Sequence, residues 1–475
     1  MPKALPSPPP GSAPHAPADG PFDAVVIGAG VVGCALTRAL ALAGARVALL
    51  EKAPDILDGA SKANSAILHT GFDAPPGSLE ARCIAAGHAE YLAIRERLGL
   101  PLDRAGALVI AWTEAEEAAL PALIDQARAN GVEDAEPLGR AALHALEPGL
   151  GPGARAAFRI PREYLIDPWS APRAYLAQAN AHGAVLMRSC TVTGGDYDGR
   201  LWTLATSRGP VRARVVVNAA GLWGDVVDQS LLGHSDFAIR PRKGQFIVYD
   251  KPAARLARHI LLPVPNAVTK GIVVCRTVWG NLLVGPTAEE QEDRETAALV
   301  PETLAALRRR GEEILPALRD HEITAAYAGL RPATAFKDYR IAAHPDRAMV
   351  TVGGIRSTGL SAALGIAHHV LGLIRGMGHD WHAPGSTRWP KVPNIAEIGP
   401  RDWQSPGHGG ILCHCELVTR REVMAALDGP LAARSLAGLK RQTRVTMGRC
   451  QGFYCTAELA RLTEGHFDTP MSNPP

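Results

Sequence analysis

Four cysteines close to the carboxyl terminus have the residue type and spacing of a metal-binding site. One residue separates Cys413 from Cys415, four separate Cys450 from Cys455, and 34 lie between the two pairs. Four thiolates suit either structural zinc or an iron–sulfur cluster. Zinc sites usually have two residues between the cysteines of a pair, so the spacing favours the cluster, with zinc as the alternative.

A glycine-rich loop near the amino terminus has the spacing of a dinucleotide-binding turn. Gly28, Gly30 and Gly33 follow the apolar run 22–27 and open an apolar helical stretch. The first glycine permits a tight turn, the second admits a pyrophosphate, and the third allows close packing of helix on strand. Glu51, 18 residues after Gly33, could accept hydrogen bonds from ribose hydroxyls and would repel a 2′-phosphate. The pattern predicts a βαβ unit for FAD or NAD.

The composition is that of an ordinary globular protein. Its 475 residues exceed one compact core and predict two or three domains, and a net charge of +3 gives no reason to expect nucleic-acid binding. The other cysteines are scattered without the paired spacings of a disulfide framework, so a reducing cytoplasm is expected. They are Cys34, Cys83, Cys190 and Cys275.

Two segments bear on targeting. Residues 1–21 are rich in proline and nearly uncharged, so we expect a disordered tail, without the pattern of a signal peptide. The most apolar stretch, residues 24–50, is interrupted by glycines and by Arg38, so it is not predicted to span a membrane. Peripheral association with a membrane stays open.

Four segments, spread over more than 300 residues, resemble those of the glycine/D-amino-acid oxidase superfamily, and most closely its glycerol-3-phosphate dehydrogenase branch. They are GASKANSAILHTGF at 59–72, VNAAGLW at 217–223, PRKGQF at 241–246 and GIRSTGL at 354–360. The order in which the four segments occur along the chain is as specific for this superfamily as any single segment. The resemblance covers nearly the whole sequence.

The resemblance implies an α/β fold in which a Rossmann-like FAD-binding domain is interleaved with an antiparallel-sheet substrate domain. The FAD-binding domain is expected at 22–93, 152–234 and 330–383, and the substrate domain at 94–151 and 235–329. A linker at 384–406 then leads to a small helical domain at 407–465, with helices expected at 420–427 and 431–440.

The resemblance also implies which residues bind FAD. They are the glycine loop and the acid that follows it, the loop that covers the flavin, and two glycine-rich strand ends. Beside Gly28, Gly30, Gly33 and Glu51, the set comprises Lys52, Ser61, Asn64, Ser65, Ala219, Gly221, Gly354, Ser357, Thr358, Gly359 and Leu360.

Oxidation of an alcohol at a flavin needs a base and a grip on the substrate. By resemblance, His69 is the candidate base, and Arg331 the candidate cation for an anionic substrate group. Lys270 is a second candidate cation. Ala66 stands where relatives usually have glycine, which is tolerable unless the backbone needs a positive φ. Arg276 stands where relatives commonly have proline, and could alter which anion is accepted.

The cysteine region resembles the bacterioferritin-associated-ferredoxin-like [2Fe–2S] domain, most specifically over residues 446–455. Such a cluster would pass single electrons from the flavin to a quinone or to an acceptor subunit. The expected activity is oxidation of sn-glycerol 3-phosphate to dihydroxyacetone phosphate, in the cytoplasm or at the inner face of the membrane. Alternatives are a 2-hydroxy-acid, amino-acid, imino-acid or opine dehydrogenase, and a non-catalytic electron-transfer subunit.

Overall fold

The computed structural model describes residues 20–265, 271–468 and 471, so most of the tail predicted at 1–21 lies outside it. In this part of the chain the helices are Val31–Leu42 (α1), Leu79–Leu98 (α2), Glu114–Ala129 (α3), Arg140–Leu146 (α4), Ser170–Ala181 (α5), Gly224–Leu232 (α6), Pro301–Ile314 (α7), Gly359–Gly376 (α8), Arg420–Ala426 (α9), Leu436–Thr443 (α10) and Thr456–Leu462 (α11).

The strands of the same part of the chain are Phe22–Ile27 (β1), Val47–Leu50 (β2), Ile67–Leu68 (β3), Leu102–Asp103 (β4), Ala107–Ala111 (β5), Glu136–Gly139 (β6), Ala156–Ile160 (β7), Tyr164–Ile166 (β8), Val185–Met187 (β9), Val192–Tyr197 (β10), Trp202–Thr206 (β11), Val211–Asn218 (β12), Arg240–Tyr249 (β13), Ile260–Pro263 (β14), Val273–Arg276 (β15), Leu282–Gly285 (β16), Glu289–Glu290 (β17), Ile323–Ala333 (β18), Arg340–His344 (β19), Met349–Gly353 (β20), Ile411–Cys413 (β21) and Val418–Thr419 (β22).

The first sheet has a parallel centre. β1 lies between β2 and β12, and β12 also pairs with β20 in parallel. β1 and β2 are almost wholly buried, as expected for apolar strands covered on both faces. Since the four strands share one direction, their carboxyl ends meet at a single edge of the sheet, where α/β proteins bind ligands.

Helices α1 and α8 pack on this sheet, α2 packs on α8, and glycines let α2 and α8 touch. A Cβ atom at Gly87 of α2 would lie 2.1 Å from the carbonyl oxygen of Ser361, and one at Gly365 of α8 would lie 2.1 Å from that of Cys83. The two helix backbones are therefore in direct contact. This contact sets where the amino terminus of α8 lies.

The second sheet has nine strands and corresponds to the unit predicted to bind the substrate. Its longest ladder pairs β13 with β18, from Arg240 opposite Ala333 to Tyr249 opposite Ile323. The prediction of an antiparallel sheet is wrong at one pair, because β14 and β5 run parallel. These two strands come from different segments of the chain and are not joined by a hairpin. Two small antiparallel sheets, β3–β8–β4 and β21–β22, complete the architecture of the described residues.

Sheet membership departs from the predicted boundaries in two places. β7 was expected in the first unit, which was to resume at residue 152, but it pairs with β5 and β6 in the second sheet. β18 crosses the expected boundary at residue 330 and belongs wholly to the second sheet. The pairing of β7 and β18 therefore extends the second sheet beyond the segments that the resemblance implied. The domain limits themselves stay a prediction.

The carboxyl-terminal unit has its own small core around Val418, Val423, Leu439 and Leu459. Helix α9 begins close to the expected residue, because the Thr419 side chain and Glu422 form a capping box. The helix expected at 431–440 begins only at Leu436. The side chain of Ser435 accepts a hydrogen bond from the Gly438 N–H, which fixes this later start.

Candidate functional site

The glycine loop lies at the shared carboxyl edge of the parallel strands. Gly28 has φ +101°, and a Cβ atom there would lie 2.7 Å from the carbonyl oxygen of Ala219, which follows β12. A Cβ atom at Gly33 would lie 1.8 Å from the carbonyl oxygen of Gly28. Gly221 follows Ala219 at the same edge and opens a short 3-10 turn. Only glycine fits the two loop positions.

The amino terminus of α1 faces the loop predicted to cover the flavin. The Val31 N–H donates to the Ser61 hydroxyl oxygen over 3.0 Å, and Gly30 lies beside the same hydroxyl. Unpaired backbone N–H groups at a helix start favour an anion such as a pyrophosphate. The structure therefore brings Ser61 and Gly30, two residues predicted to bind FAD, together at the start of α1.

Glu51 directly follows β2 and is buried. Its two carboxylate oxygens accept hydrogen bonds from the backbone N–H groups of Ala29 and Ala53 over 2.7 and 2.9 Å. Burial raises the pKa of Glu51, while these bonds act in the opposite direction. Each oxygen keeps a further lone pair for a ribose hydroxyl. Its neighbour Lys52 is exposed, pairs with Glu295 and lies 4.4 Å from the ring centre of Trp223.

The loop at residues 59–66 is held by its own side chains and by β18. The Asn64 side chain accepts from the Ala66 N–H and donates to the Ser61 carbonyl, and the Tyr327 hydroxyl donates to the Asn64 carbonyl over 2.8 Å. Ser65 follows, and its carbonyl oxygen accepts from the Cys275 thiol. Ala66 has φ +61°, so the position expected to tolerate alanine does require the left-handed region.

A second helix start, that of α8, lies against the same loop. Thr358 occupies the N-cap position of the helix, and its hydroxyl donates to the buried Glu80 over 2.7 Å. Gly359 and Leu360 lie in the first turn. A Cβ atom at Gly359 would lie 3.9 Å from a methyl group of Val31 in α1. The two helix starts are thus neighbours. Of the remaining predicted residues, Gly354 has φ +67° in the preceding turn and Ser357 is exposed.

His69 lies between the covering loop and α8, in contact with an acid that sequence reasoning missed. Its Nδ1 is 2.8 Å from Oε2 of Glu163, and its backbone N–H donates to the Ser361 hydroxyl. Glu163 is fully buried and also accepts from the backbone N–H and hydroxyl of Thr70. With Nδ1 engaged by a carboxylate, Nε2 is the nitrogen left for a substrate proton.

The register of β3 and β8 explains this pair. Ile67 lies opposite Leu165 and Leu68 opposite Tyr164, so one further step places His69 opposite Glu163. The only signal in the sequence for this pair was the position of Glu163 directly before an apolar run. A pairing between residues 94 positions apart gives no local pattern.

Arg331 lies on the face of β18 that is turned toward the covering loop. Tyr327, Gly329 and Arg331 share this face, since side chains alternate along a strand. The Tyr327 hydroxyl reaches Asn64, and a Cβ atom at Gly329 would lie 2.5 Å from the Ala63 Cβ.

The Arg331 guanidinium is largely buried and donates to the Thr287 carbonyl over 3.1 Å. Among the described residues no carboxylate pairs with it. Burial, and then the nearby Arg242, lower the pKa of Arg331 to about 10. A buried cation without a counter-ion can bind an anion strongly.

The outcome differs for the other two basic candidates, Lys270 and Arg276. Lys270 lies outside the described residues. Arg276 was expected to bear on the substrate, but it forms an ion pair with Asp103 over 2.8 Å. Its neighbour on the strand, Cys275, is the residue that contacts the covering loop, so Arg276 points to the other face of the sheet. The structure therefore gives Arg276 a structural ion pair.

The four cysteines come together in two cross-paired sets. Cys413 lies beside Cys455, and Cys415 lies beside Cys450. Backbone N–H groups, that of Tyr454 first, lower the pKa of Cys450, whereas burial raises the pKa of Cys455 to about 12. In the described part of the chain no set of three or more His, Cys, Asp or Glu side chains has the arrangement of a bound metal ion.

The residues at the sheet edge fit FAD. Two helix starts supply anion-binding amides, a buried acid can accept from a ribose, and the backbone approaches closely at Gly28. The four cysteines are soft ligands by residue type, but in the described residues their side chains are not arranged as a site for a metal ion. No helix in the described residues is long and apolar enough to cross a membrane.

Comparison with known proteins agrees with this geometry. Residues 23–373 match the model of the family described as FAD dependent oxidoreductase, DAO. The chain is 30% identical to a glycerol 3-phosphate dehydrogenase of Caloramator mitchellensis over 95% of both sequences. It is 27% identical to a protein of the anaerobic glycerol-3-phosphate dehydrogenase of Escherichia coli K12, over 93% of this chain and 88% of that one.

Among solved structures, the dithionite-reduced L-alpha-glycerophosphate oxidase of Mycoplasma pneumoniae with FAD bound is similar. It superposes with a TM-score of 0.74 and 27% identity, over 79% of this chain and all of that one. The predicted α/β fold with an FAD-binding unit is thereby confirmed, as is the expectation of an FAD-dependent enzyme. The chain belongs to the DAO family of FAD-dependent oxidoreductases.

Proposed function

We propose that the protein oxidises sn-glycerol 3-phosphate to dihydroxyacetone phosphate. The observation that carries this proposal is Arg331, a largely buried guanidinium without a carboxylate partner among the described residues, on the strand face that contacts the covering loop. A phosphate monoester would supply the missing counter-ion. The names of the relatives support the same substrate.

His69 and Glu163 supply the proton chemistry. Oxidation of the secondary alcohol removes a hydride from carbon and a proton from oxygen, and FAD, when bound, accepts the hydride. Nε2 of His69 accepts the hydroxyl proton, while Glu163 holds the proton on Nδ1 and stabilises the imidazolium that forms. The buried position of Glu163, with two further donors from Thr70, keeps the ring in one orientation.

For the carboxyl-terminal unit we assign a [2Fe–2S] cluster to Cys413, Cys415, Cys450 and Cys455. The one-and-four spacing supports the cluster over zinc. Backbone N–H groups lower the pKa of Cys450, which favours the thiolate that such a centre needs. Leu417, Arg444, Thr446 and Gln451 all have positive φ beside the cysteines. Such strained backbone often marks a binding site.

The comparisons support a dehydrogenase over an oxidase. The match to the Mycoplasma oxidase leaves about a fifth of this chain without a counterpart, and the family model ends at residue 373. The two dehydrogenase relatives span 95% and 93% of the chain. The cysteine unit would then pass electrons to an acceptor subunit or to a quinone. We place the enzyme in the cytoplasm, and a quinone acceptor would bring it to the inner face of the membrane.

The test is anaerobic mixing of the FAD-loaded protein with sn-glycerol 3-phosphate. Bleaching of the flavin with one equivalent of ketone phosphate and no ammonia supports the proposal. Bleaching only with 2-hydroxy acids or amines would assign a different substrate, and no bleaching with any of them would favour an electron-transfer subunit. Iron and acid-labile sulfide in fresh protein test the cluster, whereas stoichiometric zinc without sulfide would refute it.

A further inference from the structure

Helix α8 begins at a threonine that does not cap it. Thr358 occupies the N-cap position, but its side chain accepts no hydrogen bond from the first turn. A capping Ser or Thr normally accepts from the second or third N–H group of its helix. Among the described residues, the backbone N–H groups of Gly359, Leu360 and Ser361 have no acceptor. The amides at the start of α8 are therefore open.

The backbone of Thr358 also differs from that of the capping residues in this chain. Its ψ angle is 9°. The side chains of Ser78, Thr113, Thr419 and Ser435 cap α2, α3, α9 and α10, and their ψ angles lie between 160° and 163°. Capping needs this extended conformation. The residue type at position 358 suits a cap, and the conformation of the residue prevents one.

Two buried side chains hold the Thr358 hydroxyl in this position. The hydroxyl donates to Oε1 of Glu80 over 2.7 Å, and the Tyr339 hydroxyl lies 2.7 Å from the Thr358 oxygen. Since Thr358 uses its proton for Glu80, Tyr339 donates and Thr358 accepts. Burial, and then the adjacent Glu80, raise the pKa of Tyr339, so its hydroxyl keeps the proton that it donates. All three residues are at most 5% exposed.

Two further contacts fix the position of Glu80. Its other carboxylate oxygen pairs over 3.3 Å with Arg356, which lies just before α8. Its backbone N–H donates over 2.9 Å to Asp338, which belongs to the loop before β19. Asp338 directly precedes Tyr339 in the chain. One short segment therefore supplies both an anchor for Glu80 and the hydroxyl that reaches the start of α8.

The open amides lie at the nucleotide site. A Cβ atom at Gly359 would lie 3.9 Å from a methyl group of Val31, at the start of α1, and the Ser361 hydroxyl accepts from the His69 N–H. The first turn of α8 thus lies beside the glycine loop and the covering loop. A hydroxyl that capped these amides would compete with an oxygen of FAD for the same donors.

We propose that Glu80 is a positioning residue for FAD binding. Together with Tyr339 it holds the Thr358 hydroxyl away from the first turn of α8, which keeps the amides of that turn open for an oxygen of FAD. The resemblance implied that Thr358 binds FAD. In this arrangement its hydroxyl is bonded within the protein, and the amides that follow it are the donors. The role of Glu80 depends on FAD binding and is independent of the identity of the substrate.

The test uses the full-length chain, freed of FAD and titrated with FAD, and measures affinity from the change in flavin fluorescence. Glu80→Leu removes the acceptor and allows Thr358 to adopt the capping conformation. FAD should then bind about fivefold more weakly, the factor that corresponds to one N-cap hydrogen bond. Adding Thr358→Val to Glu80→Leu removes the competing hydroxyl and should restore most of the affinity. A second buried substitution would not correct a general loss of structure.

Hydrogen exchange measures the same change without FAD. Amides that lack a hydrogen-bond acceptor exchange fast, whereas capped amides are protected. In the FAD-free chain, exchange at residues 359–361 should be slower in Glu80→Leu than in the unchanged protein. It should be fast again when Thr358→Val is added. Mass spectrometry of peptides that cover these residues provides the measurement.

Glu90→Leu is the matched control. Glu90 lies on α2 like Glu80 and also joins this helix to α8, through a bond of 2.6 Å to His368, and to α1, through a bond of 2.6 Å to Arg38. Both bonds are distant along α8 from its first turn. Glu90→Leu should therefore lower the unfolding temperature without slowing exchange at residues 359–361, and Thr358→Val should not improve it.

The outcomes decide between a positioning role and a purely structural one. If Glu80→Leu weakens FAD binding and Thr358→Val does not restore it, Glu80 only stabilises the fold and the positioning role is wrong. Unchanged FAD affinity in Glu80→Leu would overturn it as well. If Glu80→Leu does not fold, Tyr339→Phe keeps the ring and removes one bond to Thr358. Slower exchange with weaker FAD binding in that variant supports the role, and unchanged affinity refutes it. Because no substrate is added, a wrong substrate assignment would not alter these results.

Discussion

At the scale of single residues, the site contains two buried charged groups, one with charged and polar partners and the other without a counter-ion among the described residues. Glu163 is a buried carboxylate with hydrogen bonds on both oxygens, from His69 and from Thr70. Arg331 is a largely buried cation that has only a carbonyl partner among the described residues. Glu163 orients the imidazole ring of His69, and Arg331 is available to bind an anion.

Glu163→Gln should lower the rate of flavin reduction by about 100-fold, the lower end of what a positioned base contributes, with little change in KM. The amide cannot stabilise an imidazolium and can reverse the tautomer of His69. Glu147→Gln is the matched control, because Glu147 makes an equivalent buried bond of 2.7 Å to Nδ1 of His259. Stopped-flow reduction should separate the two variants; equal rate losses would make the role of Glu163 purely structural.

Arg331→Met should raise KM for the phosphate substrate by about 30-fold or more, the equivalent of losing one partner of a buried charge pair. Without substrate the same variant should unfold at an equal or higher temperature, because an unpaired buried charge has been removed. Thermal unfolding and steady-state kinetics measure both. Arg242→Met, on the neighbouring strand but already paired with Glu290, should change KM less. An unchanged KM in Arg331→Met would remove Arg331 from the site.

At the scale of elements, the contact between α2 and α8 fixes the site. Helix α8 presents its amino terminus to the covering loop, and the Ser361 hydroxyl in its first turn bonds both the Ile67 carbonyl and the His69 N–H. The glycines at the crossing let the two helix backbones touch, so a side chain there would push α8 away from α2. A shift of α8 would move His69 and the helix start together.

Gly365→Ala should therefore lower the free energy of unfolding by about 1–3 kcal/mol, the usual cost of overpacking, and weaken FAD retention. Its added methyl group would meet the Cys83 backbone. Gly372→Ala, in the same helix with open space around it, should instead stabilise by about 0.5–1 kcal/mol. Urea unfolding with each variant checks both signs. Similar values for the two would mean that the helices can separate without cost.

At the scale of the whole molecule, the sequence predicted features that depend on local patterns but not those that depend on long-range contacts. The β1–α1–β2 unit was predictable to within a residue or two, because its glycines, apolar runs and acid are close together. Ala66 was noted as unusual, but only the backbone shows its positive φ. The bond of Glu163 to His69, that of Glu80 to Thr358 and the docking of the cysteine unit depend on residues roughly 100 to 400 positions apart.

Docking and nucleotide binding meet in one short segment, residues 55–57. Asp55 accepts from the amino-terminal side of α10, and two residues later the Leu57 N–H donates to the Ala29 carbonyl in the glycine loop. Asp55→Ala should cost about 1–3 kcal/mol in lost charged hydrogen bonds, expose residues 384–410 to protease and weaken FAD binding. Asp402→Ala is the control, since the bonds of its carboxylate in the described residues go to Thr419 and Arg421, within the cysteine unit. If Asp55→Ala keeps both protease resistance and FAD affinity, docking of the cysteine unit does not depend on Asp55 and is independent of the nucleotide loop.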